Sequence, residues 1–215
     1  MAVSRTIIIS CAGMGKRLGL GTTKALLEVD GKSLLMRHLE MLEDEEDIRI
    51  VVGYQAEKVI REARRIREDA RFVFNHQYRE TGTGASVALA SRNANEYILS
   101  LDGDLLIHPE DMQKILKADY EFVSGGAPGT DDPWLVKTYQ QSGEEFASAF
   151  SREEGRYEWN GITQMKSNKM LNGTGHVFQM VEPYLPLPFL EVRTREIDTI
   201  NDYERAVSWV QNGFQ

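Results

Sequence analysis

The segment IIISCAGMGKRLG, residues 7–19, joins a run of isoleucines directly to a loop that carries glycines and two adjacent cations. The β-branched run is short and stops at small residues, which indicates a buried strand that ends near residue 10. A glycine loop at the end of such a strand lets backbone N–H groups approach an anion closely. The segment therefore predicts a phosphate-binding turn immediately after the first strand.

Two common phosphate-binding motifs do not fit this loop. The Walker motif needs serine or threonine after its lysine, whereas Arg17 follows Lys16. The dinucleotide-binding motif G-x-G-x-x-G fails because Gly19 comes one residue too late, and no acidic residue closes the predicted second strand. The remaining interpretation is a loop whose N–H groups and cations surround a triphosphate, with Lys24 arriving from downstream. A flexible glycine turn with solvated cations is the alternative.

Strands and helices alternate through the first 120 residues, which predicts right-handed βαβ units and a mostly parallel sheet. The predicted strands cover residues 6–10, 48–54, 71–75 and 97–104, and the predicted helices cover residues 32–45, 56–69, 84–94 and 108–118. Later residues predict β segments at 120–127, 134–141, 145–153 and 158–166 and a closing helix at 199–212. We therefore expect one α/β domain, residues 1–215. Its nucleotide-binding α/β half (1–120) precedes a smaller β-rich half (121–215) that forms the second wall of a pocket.

The composition restricts the function classes. The formal net charge of −8 argues against general nucleic-acid binding, which needs clustered Lys and Arg. Cys11 is the single cysteine, so no disulfide can form within one chain, and a buried apolar role is expected for it. No apolar run approaches the roughly 20 residues of a membrane span, and the N-terminus lacks a signal-peptide core. We therefore expect a cytoplasmic protein without a membrane partner.

Acidic residues follow the predicted fourth strand and recur near the C-terminus. The motif LDGD places Asp102 and Asp104 at the carboxyl edge of the sheet, where open α/β sheets bind ligands. The motif REIDTIND adds Asp198 and Asp202. Hard oxygen ligands from two distant segments suit Mg²⁺, which takes one or two carboxylates together with water and phosphate. Each acid alone also fits a turn or, for Asp202, a helix cap, but their joint occurrence with the glycine loop predicts a Mg²⁺ site.

With these motifs, the chain resembles the nucleotidyltransferases that couple nucleoside triphosphates to phosphorylated sugars and alcohols. The resemblance rests on G-x-G-x-R in the first loop, the following lysine, the Gly-Asp of LSLDGDLLI and the late Asp of REIDTINDYERA. NHQYRETGTGASVALA resembles the base-binding segment of this family, and EWNGITQMK resembles its acceptor wall. The compact length and the ending are most similar to the small cytidylyltransferases typified by the phosphocholine enzyme. The resemblance implies a three-layer, Rossmann-like nucleotidyltransferase fold.

The resemblance also implies roles for individual residues. Arg17 would contact the β- and γ-phosphates, and Lys24 would bridge the α-phosphate and the acceptor phosphate, so both would be catalytic. Asp104 and Asp198 would hold Mg²⁺. The residues implied in nucleotide binding are Ala12, Gly13, Met14, Gly15, Lys16, Gly82, Thr83, Gly84, Ser86 and Asp102. The acceptor-binding candidates are Trp134, Trp159, Arg193 and Glu196.

The implied reaction is transfer of CMP from CTP to a phosphorylated small molecule, with release of pyrophosphate. The Ser-Val step of TGTGASVALA is typical of cytidylyltransferases, whereas its Gly-Thr-Gly turn occurs in uridylyltransferase-like sequences. UTP with a sugar 1-phosphate is therefore an alternative, and a nucleotide-binding relative without turnover is another. Since the acceptor phosphate is ionised at neutral pH, no general base is needed, and His38 is expected to pack in the core.

The sequence determines neither the acceptor nor the oligomeric state, and a dimer is one of the alternatives. Four aromatic residues of the later half would hold a quaternary ammonium on their faces, or pack in the core: Trp134, Trp159, Tyr139 and Tyr203. Arg193 and Arg195 would bind an acidic acceptor, or serve as surface charge.

Thr23 departs from the family pattern, which has proline before the lysine. Proline would restrict the approach of Lys24 by fixing its own φ, whereas threonine leaves the loop looser. The resemblance therefore implies a less rigid support for Lys24 in this chain.

Overall fold

The computed structural model describes residues 3–15, 21–130 and 132–215. Its strands are β1 (Arg5–Cys11), β2 (Glu28–Val29), β3 (Lys32–Ser33), β4 (Ile48–Val52), β5 (Arg71–Phe74), β6 (Tyr97–Asp102), β7 (Leu105–Ile107), β8 (Phe122–Gly126), β9 (Leu135–Gln141), β10 (Glu144–Ser151), β11 (Tyr157–Lys166), β12 (Leu187–Glu191) and β13 (Thr194–Glu196). Its α-helices are α1 (Leu34–Met41), α2 (Ala56–Arg64), α3 (Thr83–Ala90), α4 (Pro109–Lys117), α5 (Val177–Val181) and α6 (Ile200–Gln211). Each predicted strand and helix has a counterpart, whereas β2, β7, β12, β13 and α5 lie outside the predictions. Strand β3 occupies the first two residues of the predicted helix 32–45, and α1 begins only after its N-cap, Ser33.

One large sheet runs through both halves of the chain, in the order β5-β4-β1-β6-β11-β8-β12-β10-β9. Strands β5, β4, β1 and β6 are parallel, as βαβ connections require. Strand β11 then pairs antiparallel with β6, so the β-rich half extends the same sheet. Strand β12 is parallel to β8, and β10 is antiparallel to both of its neighbours. The predicted α/β fold class is confirmed.

The isoleucines of β1 explain why this strand lies inside the sheet. Ile7 and Ile9 pack in a cluster with α1, α2 and α4, whereas Ile8 packs with α3 and α5 on the opposite face. All three side chains are fully buried. Each contributes roughly 1.5–3 kcal/mol of transfer free energy, so the strand is stable only when helices cover both faces. The result is the expected three-layer arrangement.

The closing helix α6 begins at a capping box. The Thr199 hydroxyl accepts from the Asp202 backbone N–H at 3.2 Å, and the Asp202 carboxylate accepts from the Thr199 N–H at 2.8 Å. The predicted cap role of Asp202 is confirmed. Trp209 packs α6 against Leu106 and the β2–β3 hairpin in a third apolar cluster, and this packing holds the segment before the cap against β7.

His38 is buried as expected and ties α1 to β7. Its Nε2 lies 2.8 Å from the Leu105 carbonyl oxygen, so this nitrogen carries the proton and donates. Burial lowers the pKa of the imidazole to about 4, so the ring is neutral at physiological pH. Within the described part of the chain, no helix has the length and apolar character needed to cross a bilayer.

Asp111 of α4 anchors the segment that leads into β13. Its carboxylate accepts from the Arg193 backbone N–H at 2.9 Å and from Arg193 Nε at 2.8 Å, and it also pairs with Lys114. Burial by itself would raise the pKa of this carboxyl, but the hydrogen bonds and the two cations outweigh it and hold the pKa well below its usual range. The ion pairs of Asp111 with Arg193 and Lys114 thus hold the backbone in place a few residues before Glu196.

We predict that Asp111→Asn lowers the free energy of unfolding by about 2 kcal/mol at pH 7, because it removes charge-assisted hydrogen bonds to a buried group. The depressed pKa stabilises the fold above the unfolded-state value of about 3.9, and this contribution is lost progressively as the pH falls from there towards the lower folded-state pKa, so that part of it is gone at pH 3. Urea unfolding of the variant and the wild type at pH 7 and pH 3 measures both effects. Glu110→Gln is the matched control, since Glu110 also contacts Arg193 but is 76% exposed. Equal losses in the two variants would contradict the anchoring role.

Candidate active site

The carboxyl ends of β1 and β6 meet at the centre of the sheet. Ser10 of β1 is in register with Asp102 of β6, and the Gly103 N–H donates to the Ser10 carbonyl oxygen at 3.0 Å. A Cβ at Gly103 would lie 2.7 Å from Cys11 Sγ, so only glycine fits this turn. Cys11 is buried as expected, and burial raises the pKa of its thiol, so it is not a nucleophile. The tight turn places Asp102 and Asp104 beside the first loop.

Lys24 lies among the predicted metal ligands. It begins a short 3-10 turn, and its Nζ is 2.7 Å from Asp104 Oδ2 and in contact with Asp198 Oδ1. Glu196 Oε1 is 4.0 Å from the same nitrogen. Burial opposes the charge of Lys24, but Asp104 and Asp198 outweigh it and hold the ammonium pKa above its usual value. The structure therefore brings together residues that are separated by 174 positions along the chain.

Three carboxylates in this cluster have the chemistry of a divalent-cation site. Asp104, Glu196 and Asp198 each offer an oxygen atom, and these atoms lie within 4.8 Å of one another. Strand β13 pairs Glu196 with Leu105 of β7, next to Asp104. Glu196 was expected to bind the acceptor, and its position adds a third potential metal ligand. Burial and the charges of Asp104 and Asp198 raise the pKa of Glu196 to about 8.

The carboxyl group of Asp102 is buried next to this cluster. Its Oδ1 is buried and has no hydrogen-bond partner among the described residues. Gly161 faces its other carboxylate oxygen with a φ of +80°, and a Cβ at Gly161 would collide with that oxygen. Burial and the charge of Asp104 raise the pKa of Asp102 to about 8. Gly161 sits at an irregularity in β11, and the sequence offered no signal for it beyond the Asn-Gly pair.

A cavity of about 640 Å³, here called the main cavity, opens in front of the cluster. Six of the implied nucleotide-binding residues line it, namely Ala12, Gly13, Gly82, Thr83, Ser86 and Asp102. Gly13 faces open space, whereas Gly15 has a φ of +58° and packs on Lys24 in an adjoining depression. Met14 is half-buried in the same loop. Arg17 and Lys16 lie outside the described residues.

The Gly82–Ser86 segment is held by a second Gly-Thr-Gly segment at 173–175. The Gly82 N–H donates to the Thr174 carbonyl at 2.9 Å, and the Gly84 N–H donates to the Gly175 carbonyl at 2.8 Å. Side chains at either glycine would collide with Gly175. Both N–H groups therefore bond within the protein, and the two glycines serve close backbone packing. The repeated tripeptide was the available sequence signal for this contact.

Asn75 is a cavity residue that the sequence did not indicate. Its Nδ2 lies 3.2 Å from Thr81 Oγ1 and 3.1 Å from Ser86 Oγ, and its Oδ1 accepts from the Gln77 N–H. The side chain is almost fully buried at the end of β5. This network orients the hydroxyl groups of Thr81 and Ser86 at the wall of the main cavity.

The aromatic acceptor candidates line the main cavity but are already packed. The ring of Trp134 contacts the Arg152 guanidinium, 4.3 Å from the ring centroid, and the ring of Phe178, at 4.2 Å between centroids. Trp159 meets Phe150 edge to face at 5.2 Å. Arg193 is not brought to the cavity, because its guanidinium is paired with Asp111 and Glu110.

Thr23 occupies the position where the family has proline, and it is buried. Its hydroxyl lies 3.4 Å from the Cys11 carbonyl oxygen, and its φ is −70°, which is within the range that proline adopts. The backbone before Lys24 thus has a proline-like conformation without proline.

A glycine loop follows β1, and Lys24 and acidic residues lie at the carboxyl ends of the central strands. This arrangement is the one expected of a nucleotidyltransferase fold. Residues 7–156 match the MobA-like NTP transferase domain, and the chain therefore belongs to this family. It is 33% identical over 112 residues to the bifunctional protein GlmU of Aliarcobacter butzleri, a match of 51% of this chain and 26% of that protein. The chain spans about a quarter of the length of this relative.

Solved structures share the fold over nearly all of this chain. The phosphocholine cytidylyltransferase LicC of Streptococcus pneumoniae has a TM-score of 0.75 at 19% identity, covering 98% of this chain and 100% of its own. The inositol-1-phosphate CTP transferase of T. maritima has a TM-score of 0.77 at 17% identity, with 100% of both chains covered. A UDP-glucose pyrophosphorylase has a TM-score of 0.75 at 13% identity, covering 97% of this chain and 99% of its own. These likenesses show the fold.

We predict that Asp102→Asn stabilises the metal-free protein at alkaline pH. Because the pKa of Asp102 is raised, the folded state binds more protons than the unfolded state between about pH 4 and pH 8, so wild-type stability falls as the pH rises. The variant lacks this penalty, so its advantage should grow to on the order of 2 kcal/mol at pH 8. Urea unfolding in chelator at pH 5 and pH 8 measures it. The control, Asp119→Asn, changes an exposed carboxylate. A variant less stable than wild type at pH 8 would refute the buried-charge interpretation.

Proposed function

We propose that this protein is a Mg²⁺-dependent nucleotidyltransferase that transfers CMP from CTP to a phosphorylated small molecule and releases pyrophosphate. The observation that carries the proposal is the meeting of Lys24 with Asp104 and Asp198 in the wall of the main cavity. A lysine and carboxylates at the carboxyl ends of central strands suit a ligand that brings phosphates and a cation together.

The donor set supports Mg²⁺ as the resident cation. Asp104, Glu196 and Asp198 supply hard oxygen atoms within a span that one cation can bridge. When bound, the cation would neutralise negative charge on the triphosphate and on the departing pyrophosphate.

The nucleotide and the acceptor phosphate are both anions and repel each other, so the site needs fixed positive charge. Lys24 carries a stable positive charge at the cluster and would pair with the α-phosphate and the acceptor phosphate. Arg17, as the family pattern implies, would contact the β- and γ-phosphates. Binding in one cavity would align the acceptor oxygen opposite the leaving pyrophosphate, and this positioning lowers the entropic barrier. No general base is required, and His38 is buried against the Leu105 carbonyl rather than in the lining of the main cavity.

The proposal also specifies the nucleotide base, which is cytosine. The likenesses to LicC and to the inositol-1-phosphate CTP transferase support CTP. Asn75 donates to Thr81 and Ser86, so the Ser86 hydroxyl keeps its own proton for a hydrogen bond to a pyrimidine edge. A second candidate is transfer of UMP to a sugar 1-phosphate, which the likeness to a UDP-glucose pyrophosphorylase favours.

The direct test is pyrophosphate release with Mg²⁺, each of CTP, UTP, GTP, ATP and TTP, and a panel of phosphate esters. We expect turnover with CTP and its loss in chelator. Lys24→Gln should lower kcat/KM by about 100-fold, because it removes fixed charge at the reacting phosphates. Lys58→Gln is the matched control on the exposed face of α2. Turnover with UTP alone would select the second candidate, and no turnover with any pair would reject the proposed function.

We also predict that Thr23→Pro keeps kcat/KM within roughly threefold of the wild type, because the φ of Thr23 already suits proline. Thr23→Gly should lower kcat/KM by roughly threefold to tenfold, since it removes the buried side chain and frees the backbone before Lys24. Steady-state kinetics of both variants measure the effect. A large loss in the proline variant would show that the loop must move at this position.

A further inference from the structure

A second cavity, here called the side cavity, lies beside the main cavity and has a volume of about 450 Å³. Its walls are one face of α6, strand β13 and the loop 126–130. Asn160, Glu196 and Arg205 line both cavities, so the two spaces adjoin next to the carboxylate cluster. A molecule whose phosphate reached Lys24 from this direction would place the rest of its atoms in the side cavity.

Asn160 presents an unsatisfied donor at the junction of the cavities. The residue is only 8% exposed. Its Oδ1 accepts from the Ile162 N–H at 3.3 Å, and because this group can only donate, it fixes the orientation of the amide. The Ser124 hydroxyl lies 2.6 Å from the same oxygen and 2.9 Å from the Ile162 carbonyl oxygen. Among the described residues, no acceptor bonds to its Nδ2. A buried donor left unpaired costs about 1–3 kcal/mol, so a ligand oxygen at this point would remove a standing penalty.

Two guanidinium groups add positive charge to the side cavity. Arg195 lies over the ring of Trp209 at 5.1 Å, and its only hydrogen bond to a described residue is a long one of 3.4 Å to the Thr194 carbonyl. Arg205 is exposed on α6 and forms no ion pair with any residue in the described ranges. Each guanidinium therefore keeps most of its N–H donors available.

The acidic groups of the side cavity are engaged within the protein. Glu158 accepts from the Gly129 N–H at 2.6 Å and is also bonded to Thr130, and Asp202 caps α6. Glu196 belongs to the carboxylate cluster with Lys24. The charged hydrogen-bond donors of the cavity are therefore the guanidinium groups of Arg195 and Arg205, and they face the negative charges of the three engaged carboxylates across the same space.

We infer that the side cavity binds the non-reacting part of the acceptor and that this part carries an anionic group, a carboxylate or a second phosphate, paired with Arg205 and Arg195. Asn160 Nδ2 donates to an oxygen of the same molecule. The inference rests on the proposed function for the identity of the reacting phosphate. A quaternary ammonium would instead use the aromatic and acidic lining, such as Trp159 and Glu158, and the test below distinguishes it from an anion. One face of Trp134 is already covered by Arg152.

The test compares O-phosphoserine with phosphoethanolamine, which differ by one carboxylate. Titration calorimetry, with and without Mg²⁺ and a non-hydrolysable CTP analogue, gives the two dissociation constants for the wild type. We expect O-phosphoserine to bind at least about tenfold more tightly. Arg205→Gln should reduce this ratio towards one, and Arg61→Gln, an exposed arginine of α2, should leave it unchanged. Asn160→Asp should weaken both esters, and its melting midpoint reports whether the variant folds.

A wild-type ratio of one, a ratio that Arg205→Gln does not change, or no binding of either ester would overturn the inference. Pyrophosphate release by the same proteins, measured separately with Mg²⁺, each hydrolysable nucleoside triphosphate and the same esters, distinguishes it from the proposed function. A binding preference without turnover for any nucleotide would reject the proposed function and keep the anion site. Turnover that favours phosphoethanolamine or phosphocholine would keep the proposed function and reject the anion site.

Discussion

Repulsion among the carboxylates of Asp104, Glu196 and Asp198 is the constraint around which this structure is organised. Two charges 4.8 Å apart repel by about 3 kcal/mol at an effective dielectric constant near 20. The ammonium of Lys24 offsets part of this repulsion, and a raised pKa of Glu196 offsets more. The cluster is therefore costly in the free protein and suited to a ligand that supplies positive charge, which is a common property of functional sites.

The sheet supplies the rigidity that this cluster needs. Asp104 follows β6, which lies beside the largely buried β1, so the backbone of Asp104 has little freedom. Glu196 arrives from the other end of the chain on β13, which pairs with β7 directly after Asp104. The pairing between Asp111 and Arg193 holds the entry to β13. Packing and hydrogen bonds elsewhere in the fold thus offset the repulsion between the carboxylates of the cluster.

Close backbone approach shapes the walls of the main cavity. Gly161 leaves room for Asp102, and the Gly-Thr-Gly segments at 82–84 and 173–175 bond to each other directly. Side chains at these positions would separate the walls by the width of a Cβ or more. The glycines therefore set the form of the cavity as much as the side chains that line it.

The sequence by itself determined the alternation of strands and helices, the buried β1, the cap of α6 and the candidate residues Lys24, Asp104 and Asp198. These features depend on local periodicity, on capping chemistry and on a motif, all of which are read within a few residues. The match to the family motif added Arg17 to the predicted site residues. Arg17 lies outside the residues that the structure describes.

The tertiary structure alone decided the rest, because the remaining features depend on contacts between residues far apart in the chain. The position of Glu196 in the carboxylate cluster follows from the pairing of β13 with β7, and β13 is too short to show a periodic signal. The unpaired amide of Asn160 and the packed face of Trp134 follow from which neighbours the fold brings to them. Burial and pairing, and hence the charge that a site presents to its ligand, are properties of the assembled fold.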